Sequence, residues 1–293
     1  MDLHNIDNYL IPTDINQVTN WGENWSWLAG GTWLFSEPQP DIKTLVDIQS
    51  LGWDEIKLVN SPNAFCETGL NSNLHYQGEL LAIGATCPLI KLVEYDWLPE
   101  YTAVAGFRGA INALSASLKV VNIATVGGNI CLGLSVGTIA PIMVALDASY
   151  EIWSRQGKSR IVAAKDFQIG FRKTLLQSEE LLRRILIPVE NMKWQVDYQR
   201  FGIAASDSAL AIVCGAYNSV AKNLRLVIGA SVAAPVLLQF DGDLASKQNL
   251  NYIASLKNID FIEDARASAV YRREITQVLI KQCFEQLTVS SQQ

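Results

Sequence analysis

The chain has 293 residues, of which 49% are hydrophobic and 18% charged, and its formal net charge is −6. This balance predicts a well-packed globular protein of two or three domains, and the acidity argues against an extended nucleic-acid surface. No apolar run reaches the ~18 residues of a membrane span, and the first residues lack the basic and apolar regions of a signal peptide. We therefore expect a cytoplasmic protein with no nucleic-acid partner and no membrane span.

Cysteine and histidine usage excludes several kinds of site. The five cysteines are spread singly along the chain, at Cys66, Cys87, Cys131, Cys214 and Cys283. Without a Cys-x-x-Cys pair, there is no zinc or iron–sulfur ligand set in this sequence, and we expect reduced, mostly buried thiols. The only histidines are His4 and His75, so we predict no histidine-based catalysis, no catalytic residue and no metal site.

The first sixty residues predict short strands and little helix. A tryptophan-rich stretch at 21–27 leads into one strand, and residues 45–48 and 55–59 predict two more. A domain boundary is expected within residues 60–76, which are rich in asparagine, serine and glycine.

The middle of the chain predicts alternating strands and helices. A short strand at 80–83 precedes a helix at 89–95, and apolar residues at helical spacing predict one long helix over 104–118. Residues 138–146 predict a further helix, with Thr138 as its N-cap. Residues 149–163 predict a β-hairpin that turns at Gln156-Gly157.

The last part of the chain predicts a small antiparallel sheet followed by helix. A strand is expected at 180–189, and two antiparallel strands at 209–216 and 224–230. The tail from residue 244 predicts helix that ends near residue 287.

Two glycine pairs, at residues 28–32 and 125–129, are the most informative feature of the sequence. Each pair is followed by a small polar residue and is predicted to come directly after a buried strand. Glycine lets the main chain turn sharply and approach a ligand closely, and successive N–H groups in such a turn can bind phosphate. Two turns of this kind together predict a ligand with two phosphates that is held from both sides.

Other nucleotide and catalytic motifs are weaker or missing. Residues 133–137 match the G-x-S-x-G pattern of a serine hydrolase, but no histidine follows residue 75 to serve as the base. The sequence contains neither G-x-G-x-x-G nor G-x-x-x-x-G-K-[ST], so a Rossmann site and a Walker-type NTPase are not supported.

Several segments in the same order resemble the FAD-binding medium subunit of the molybdenum hydroxylases, the family of the xanthine dehydrogenase and carbon monoxide dehydrogenase flavoproteins. The two glycine segments resemble the first and second FAD loops of that family. The other matching segments are residues 83–85, 140–148, 170–175, 180–182, 187–188 and 266–273.

The resemblance implies an α+β fold. Two FAD-binding subdomains of PCMH-like type, at 1–60 and 61–190, would be followed by a C-terminal domain at 191–293 with a small antiparallel sheet and helices. The implied function is an electron-transferring oxidoreductase subunit that takes electrons from a partner's [2Fe–2S] clusters through FAD to a terminal acceptor. The implied partners are an iron–sulfur small subunit and a molybdopterin large subunit, in a heterotrimer or a dimer of heterotrimers.

By the same resemblance, individual residues receive roles. Leu182 would lie against the isoalloxazine ring, Arg200 near the flavin edge, and Thr138 beside the ribityl chain. The remaining implied FAD contacts are Trp27, Leu28, Ala29, Gly30, Gly31, Thr32, Trp33 and Leu34 on one side, and Thr125, Gly127, Gly128 and Asn129 on the other.

The sequence also departs from the family pattern. Trp33 and Thr138 stand where aspartates are usual, and Val121 stands where an arginine is usual. These departures predict weaker FAD binding and leave open a structural subunit that has lost its flavin. A free-standing flavoprotein oxidase is a third hypothesis, although no base or substrate pocket in the sequence supports it.

Overall fold

A computed structural model describes residues 4–60, 78–242, 244 and 255–290. The strands in chain order are β1 Asn8–Leu10, β2 Trp25–Leu28, β3 Thr44–Asp47, β4 Ile56–Asn60, β5 Glu79–Gly84, β6 Ser149–Ser154, β7 Ser159–Ala163, β8 Gln168–Gly170, β9 Lys173–Thr174, β10 Glu180–Pro188, β11 Gln195–Phe201, β12 Ala211–Asn218, β13 Asn223–Gly229 and β14 Val236–Asp241. The α-helices are α1 Leu89–Glu94, α2 Val104–Ala113, α3 Leu118–Ile123, α4 Val126–Cys131, α5 Ile139–Ala145, α6 Ala164–Phe167 and α7 Ala269–Ser290.

The strands form three main sheets, each with its own pairing pattern. The first is a three-stranded parallel sheet of order β1-β3-β2. The second is a five-stranded antiparallel sheet of order β4-β5-β10-β6-β7, and the third is an antiparallel meander of order β11-β12-β13-β14. Strands β8 and β9 pair separately as a short ribbon. Mixed helices and antiparallel sheets confirm the predicted α+β class.

Helices α1 to α5 lie between the five-stranded sheet and the meander. One continuous apolar core joins Ile83 and Ile185 of the five-stranded sheet to Ile142 of α5 and Val196 of the meander. Helix α7 covers the opposite face of the meander, where Cys283 and neighbouring apolar residues form a second core. The chain therefore stacks as sheet, helices, sheet and helix, and this stacking places β2, α4 and β10 around one region.

Most of the predicted elements are present, and the differences have local causes. Helix α2 ends at Ala113, so the single helix expected to Leu118 is wrong: Ser115 has φ 53° and interrupts it. The segment before the second glycine pair is helix α3, not a buried strand, because the Ser117 hydroxyl accepts a hydrogen bond from the Val120 N–H and caps it. Thr138 occupies the predicted N-cap position of α5, but its side chain makes no capping hydrogen bond.

Two predictions cannot be compared with the structure. The linker expected within residues 60–76, together with Cys66 and His75, lies almost wholly outside the described residues. The predicted domain limits at residues 60 and 190 stay predictions, although β4, on the N-terminal side of the first limit, pairs with β5 in the five-stranded sheet.

Within the described ranges, every helix is too short or too polar to cross a lipid bilayer. The same ranges contain no cluster of histidine, cysteine and acidic side chains that could hold a metal ion. Ser135, the serine of the G-x-S-x-G pattern, lies in the loop between α4 and α5 and not on a strand-to-helix elbow.

Candidate functional site

A cavity of about 630 Å³ lies where the parallel sheet, the α4 segment and the first residues of β10 meet. This volume is within the range of roughly 300–1,000 Å³ that is usual for small-molecule and cofactor sites. Two predicted contacts, Thr138 and Arg200, do not line the cavity. The others all do: Trp27, Leu28, Ala29, Gly30, Gly31, Thr32, Trp33, Leu34, Thr125, Gly127, Gly128, Asn129 and Leu182.

The loop after β2, residues 29–34, has an unusual hydrogen-bonding pattern. Among the described groups of the protein, none accepts a hydrogen bond from any of its six consecutive backbone N–H groups. Three of its six carbonyl groups, by contrast, accept hydrogen bonds: those of Ala29, Gly31 and Trp33. Ala29 O accepts from the Gln49 side chain at 2.8 Å, and Gly31 O accepts from the Phe35 N–H at 2.9 Å. The unused donors therefore belong to residues that line the cavity, and a row of such donors is suited to binding anions.

The segment at 125–129 is built differently. Gly127 N donates to Ala85 O at 2.9 Å, and Gly128 N donates to the Thr125 hydroxyl at 3.0 Å. The expectation that this segment forms a second turn with free N–H groups is therefore wrong, because Ala85 O and the Thr125 hydroxyl already accept from those donors. Gly127 and Gly128 both line the cavity, so this part of the wall is main chain without side chains.

Gly30 packs closely against the end of α3, just before the second glycine segment. A Cβ at Gly30 would lie 2.1 Å from the carbonyl oxygen of Ile123, so only glycine fits there. A Cβ at Gly127 would lie 2.6 Å from Ala85 O, whereas one at Gly128 would meet only the Thr125 hydroxyl, at 2.9 Å. Close packing thus explains Gly30 and Gly127, and Gly128 is the glycine at which a longer side chain would enter the cavity.

Asn129 joins the cavity wall to the next helix. Its Oδ1 accepts a hydrogen bond from Ile139 N at 3.2 Å, so this side chain provides the capping contact that Thr138 was expected to make for α5. Thr138 itself is 1% exposed, its hydroxyl has no hydrogen-bond partner, and its carbonyl accepts from the Tyr198 hydroxyl at 2.7 Å. Thr138 lies behind the wall, and its contact with the ribityl chain stays a prediction.

Arg200 is also set back from the cavity. Its guanidinium donates to the carbonyl oxygen of Asp207, in a loop whose residues Ser206 and Ser208 line the cavity. The predicted position at the flavin edge stays a prediction, and the contact that the structure shows is with the protein's own main chain.

The wall of the cavity is mostly neutral. Among the described lining residues, Glu180 is the one acidic or basic side chain, and its carboxylate is paired with Arg160. Cys131 also lines the cavity, where burial raises the pKa of its thiol to about 12 and keeps it uncharged. Arg172 lies next to the lining residue Trp33, with its guanidinium 4.5 Å from the ring centroid.

Sequence reasoning missed part of the lining, which comes from neighbours of the predicted residues and from segments whose sequence gives no signal of ligand binding. The lining residues that were not predicted are Ser26, Ser36, Ile48, Ala85, Leu114, Ser115, Ala116, Val120, Ala124, Cys131, Leu132, Leu134, Val136, Gly137, Leu176, Glu180, Leu181, Ser206 and Ser208. Most are small or apolar, so their types alone carry no signal of a site.

The family comparison agrees with this geometry. Residues 68–190 match the family described as the FAD binding domain in molybdopterin dehydrogenase, and this range includes α4 and Leu182. Residues 68–190 therefore form an FAD-binding domain of the molybdopterin dehydrogenase type. The residues present also fit FAD as a ligand, because a row of unused N–H donors suits phosphate and the remaining wall suits an uncharged ring system.

Two curated relatives are a dehydrogenase/oxidase and the medium subunit of a hydroxylase. The chain is 31% identical over 183 residues to the xanthine dehydrogenase/oxidase of Rattus norvegicus. The aligned region covers 57% of this chain and 14% of that protein. It is 25% identical over 173 residues to the nicotine 6-hydroxylase medium subunit of Paenarthrobacter nicotinovorans. That aligned region covers 56% of this chain and 60% of the medium subunit. The chain thus spans less than two thirds of the length of either relative.

The fold itself is matched over nearly the whole chain. A chain of the reconstituted CO dehydrogenase from Oligotropha carboxidovorans superposes with a TM-score of 0.79 at 23% identity. The match covers 97% of this chain and 98% of the other. This agreement extends the shared architecture beyond the FAD-binding domain to the meander and α7.

Proposed function

We propose that this chain is the FAD-containing, electron-transferring subunit of a molybdenum hydroxylase assembly. The observation that carries the proposal is the loop at residues 29–34, whose six N–H groups have no described protein partner and whose residues line the cavity opposite the α4 glycines. Bound FAD would supply a redox centre that takes electrons from iron–sulfur clusters and passes them to a terminal acceptor.

The chain's own residues would bind FAD without a cation in the cavity wall. The main-chain donors of 29–34 would hold the pyrophosphate, and the glycine surface at Gly127 and Gly128 would allow the ligand to approach the main chain closely. Thr125 and Asn129 would support the second side, and Leu182 would provide an apolar contact for the ring. Both Thr125 and Asn129 already make hydrogen bonds that order the wall.

The partners in this proposal are an iron–sulfur small subunit and a molybdopterin large subunit, in a heterotrimer or a dimer of heterotrimers. Support comes from a relative that is itself a medium subunit, the nicotine 6-hydroxylase protein. A cytoplasmic location belongs to the same proposal, and the free thiols of Cys87, Cys131, Cys214 and Cys283 fit a reducing compartment.

The first test is a visible absorption spectrum of the purified chain before and after incubation with excess FAD and desalting. We expect a retained flavin band at about one FAD per chain. If the chain and its co-purified complex both lacked flavin, the function would be that of a structural subunit.

The second test is the Gly128→Asp variant. A carboxylate at this position would enter the cavity close to the phosphates, so we expect FAD retention to fall by at least tenfold. Gly170→Asp is the matched control, because a Cβ there meets only Lys173, at 3.8 Å, and Gly170 does not line the cavity. Equal flavin content in the two folded variants would contradict the proposed phosphate site.

A further inference from the structure

The charge of the described cavity wall comes from one side chain. Glu180 is the one acidic or basic side chain among the described lining residues, and no described lysine or arginine faces it from within that lining. A carboxylate in the wall of a site that binds an anionic cofactor needs a compensating charge from outside the wall.

Arg160 provides that charge from strand β7. Its Nε donates to Glu180 Oε1 at 2.8 Å, and its Nη2 donates to Glu180 Oε2 at 2.7 Å. The same Nη2 donates to Leu175 O at 2.7 Å, and Gln177 N donates to Glu180 Oε2 at 2.9 Å. The side chains of Arg160 and Glu180 are only 20% and 10% exposed, so solvent screens this bidentate pair weakly.

Strand geometry places this pair on the same face as Leu182. Glu180 and Leu182 are two residues apart on β10, so their side chains point to the same side, about 7 Å apart along the strand. Across the sheet, Leu182 is opposite Ile152, and Ile152 is opposite Arg160. Arg160 therefore reaches diagonally over β6 to the carboxylate, on the face that carries the predicted ring contact.

We propose that the Arg160–Glu180 pair sets the electrostatic potential at the ring end of the cavity and thereby the relative affinity for oxidised and reduced FAD. The inference rests on the proposed function. Reduction by two electrons and one proton adds one negative charge to the flavin ring, so an unpaired carboxylate nearby disfavours the reduced form and an unpaired guanidinium favours it. Glu180 acts on the flavin through its electrostatic potential. Arg160 is a positioning residue that neutralises and orients the Glu180 carboxylate.

The test is a spectroelectrochemical titration of the FAD-loaded chain, with the dissociation constant of oxidised FAD measured in parallel. Glu180→Gln keeps the hydrogen-bond acceptor for Arg160 but removes the negative charge. We expect it to raise the ratio of reduced-FAD to oxidised-FAD affinity about tenfold, equivalent to a midpoint potential about 30 mV higher for a two-electron couple. Arg160→Gln should shift the midpoint potential in the opposite direction. Arg160→Lys keeps the positive charge, so its midpoint potential should lie close to that of the wild type.

Glu179→Gln is the matched control. It makes the same chemical change one residue earlier in the chain, at a glutamate that pairs with Arg155 and does not line the cavity. The double variant Arg160→Gln/Glu180→Gln removes both charges without leaving one unpaired, so it should fold and return the potential close to that of the wild type. It also provides a measurement if Arg160→Gln alone fails to fold.

The outcomes separate this inference from the proposed function. If the wild-type chain and its complex bind no FAD, both are overturned. If the wild type binds FAD and loses it on Gly128→Asp, but Glu180→Gln shifts the potential no more than Glu179→Gln does, the proposed function stands and the electrostatic role of the pair is overturned.

Discussion

At the scale of single residues, the two glycine segments look alike in sequence but differ in the hydrogen bonding of their N–H groups. The N–H groups of residues 29–34 have no described protein acceptor, and three of the carbonyls accept hydrogen bonds, whereas Gly127 and Gly128 donate their N–H groups to other protein groups. The difference arises because the Thr125 hydroxyl, which caps α4, accepts from Gly128 N, and Ala85 O accepts from Gly127 N.

Asn129 shows how a predicted ligand contact also supports the fold. Its Oδ1 accepts from Ile139 N, at the start of α5. Removing that acceptor in Asn129→Ala should cost about 1 kcal/mol and lower the Tm of the ligand-free chain by about 2–4 °C. Differential scanning calorimetry without FAD is the measurement.

Two further variants check the cause of that Tm change. Asn129→Asp keeps a side-chain oxygen that can accept the hydrogen bond and should retain most of the stability, while Asn122→Ala, at an exposed position on α3, should change little. An equal loss of Tm in the Ala and Asp variants at residue 129 would refute the capping role.

At the scale of elements, β10 is the strand around which the FAD-binding domain is organised. It pairs with β5 on one side and β6 on the other. Strand β10 begins at the cavity with Glu180. It also carries Arg183, whose guanidinium donates to Glu55 at 2.7 Å and lies 4.7 Å from the ring centroid of Trp53. Ion pairs to three other segments, through Glu55, Glu151 and Arg160, therefore hold this strand in register.

These pairs predict an acid-sensitive stability. Burial alone would raise the pKa of Glu55 and of Glu180, but hydrogen bonds from Arg183 and from Arg160 outweigh it, so the pKa of each carboxyl lies below its ordinary value of 4.5. A carboxyl with a lowered folded-state pKa stabilises the protein above its unfolded-state pKa, and this stabilisation is lost as the pH falls. We expect the free energy of unfolding in urea to decrease as the pH drops below about 4.5.

The Glu55→Gln variant isolates one contribution. It should be less stable than the wild type at pH 6 and should lose less stability between pH 6 and pH 3, because one of the titrating carboxyls is gone. Glu37→Gln, at an exposed site, should keep the wild-type pH dependence. An identical slope for Glu55→Gln and the wild type would show that this pair does not contribute.

At the scale of the whole molecule, the helical layer joins the FAD-binding domain to the meander. Residues of both form one apolar core, in which Ile185 of β10 and Val196 of β11 take part. Helix α2 approaches β11 through its glycines: a Cβ at Gly109 would lie 2.6 Å from the Cβ of Tyr198. The hydroxyl of Tyr198 in turn donates to Thr138 O, behind the cavity wall.

This packing predicts the sign of a helix substitution. Gly→Ala inside a helix ordinarily stabilises by up to about 1 kcal/mol, but at Gly109 the added methyl group would push α2 away from β11. We expect Gly109→Ala to lower the unfolding free energy by about 1–3 kcal/mol in guanidinium titrations followed by tryptophan fluorescence. Gly170→Ala, where the nearest atoms are 3.8 Å away, is the control. A stabilised Gly109→Ala chain would mean that the contact with Tyr198 relaxes freely.

The sequence by itself determined the fold class, most strands and helices and, through its resemblance, the FAD-binding family. These follow from local periodicity and from glycine motifs that stand in continuous segments, such as the pairs at 30–31 and 127–128. The end of α2, the helical form of α3 and the capping of α5 were decided by contacts and turns that local periodicity does not encode.

Only the tertiary structure decided which residues share the cavity and how their polar groups are used. It brought Glu180, Ser206 and Ser208 to the wall and set Thr138 and Arg200 behind it. Hydrogen-bond satisfaction is the physical reason. Whether an N–H, a carboxylate or a guanidinium is free for a ligand depends on which distant group already bonds to it, and that is fixed only when the layers pack together.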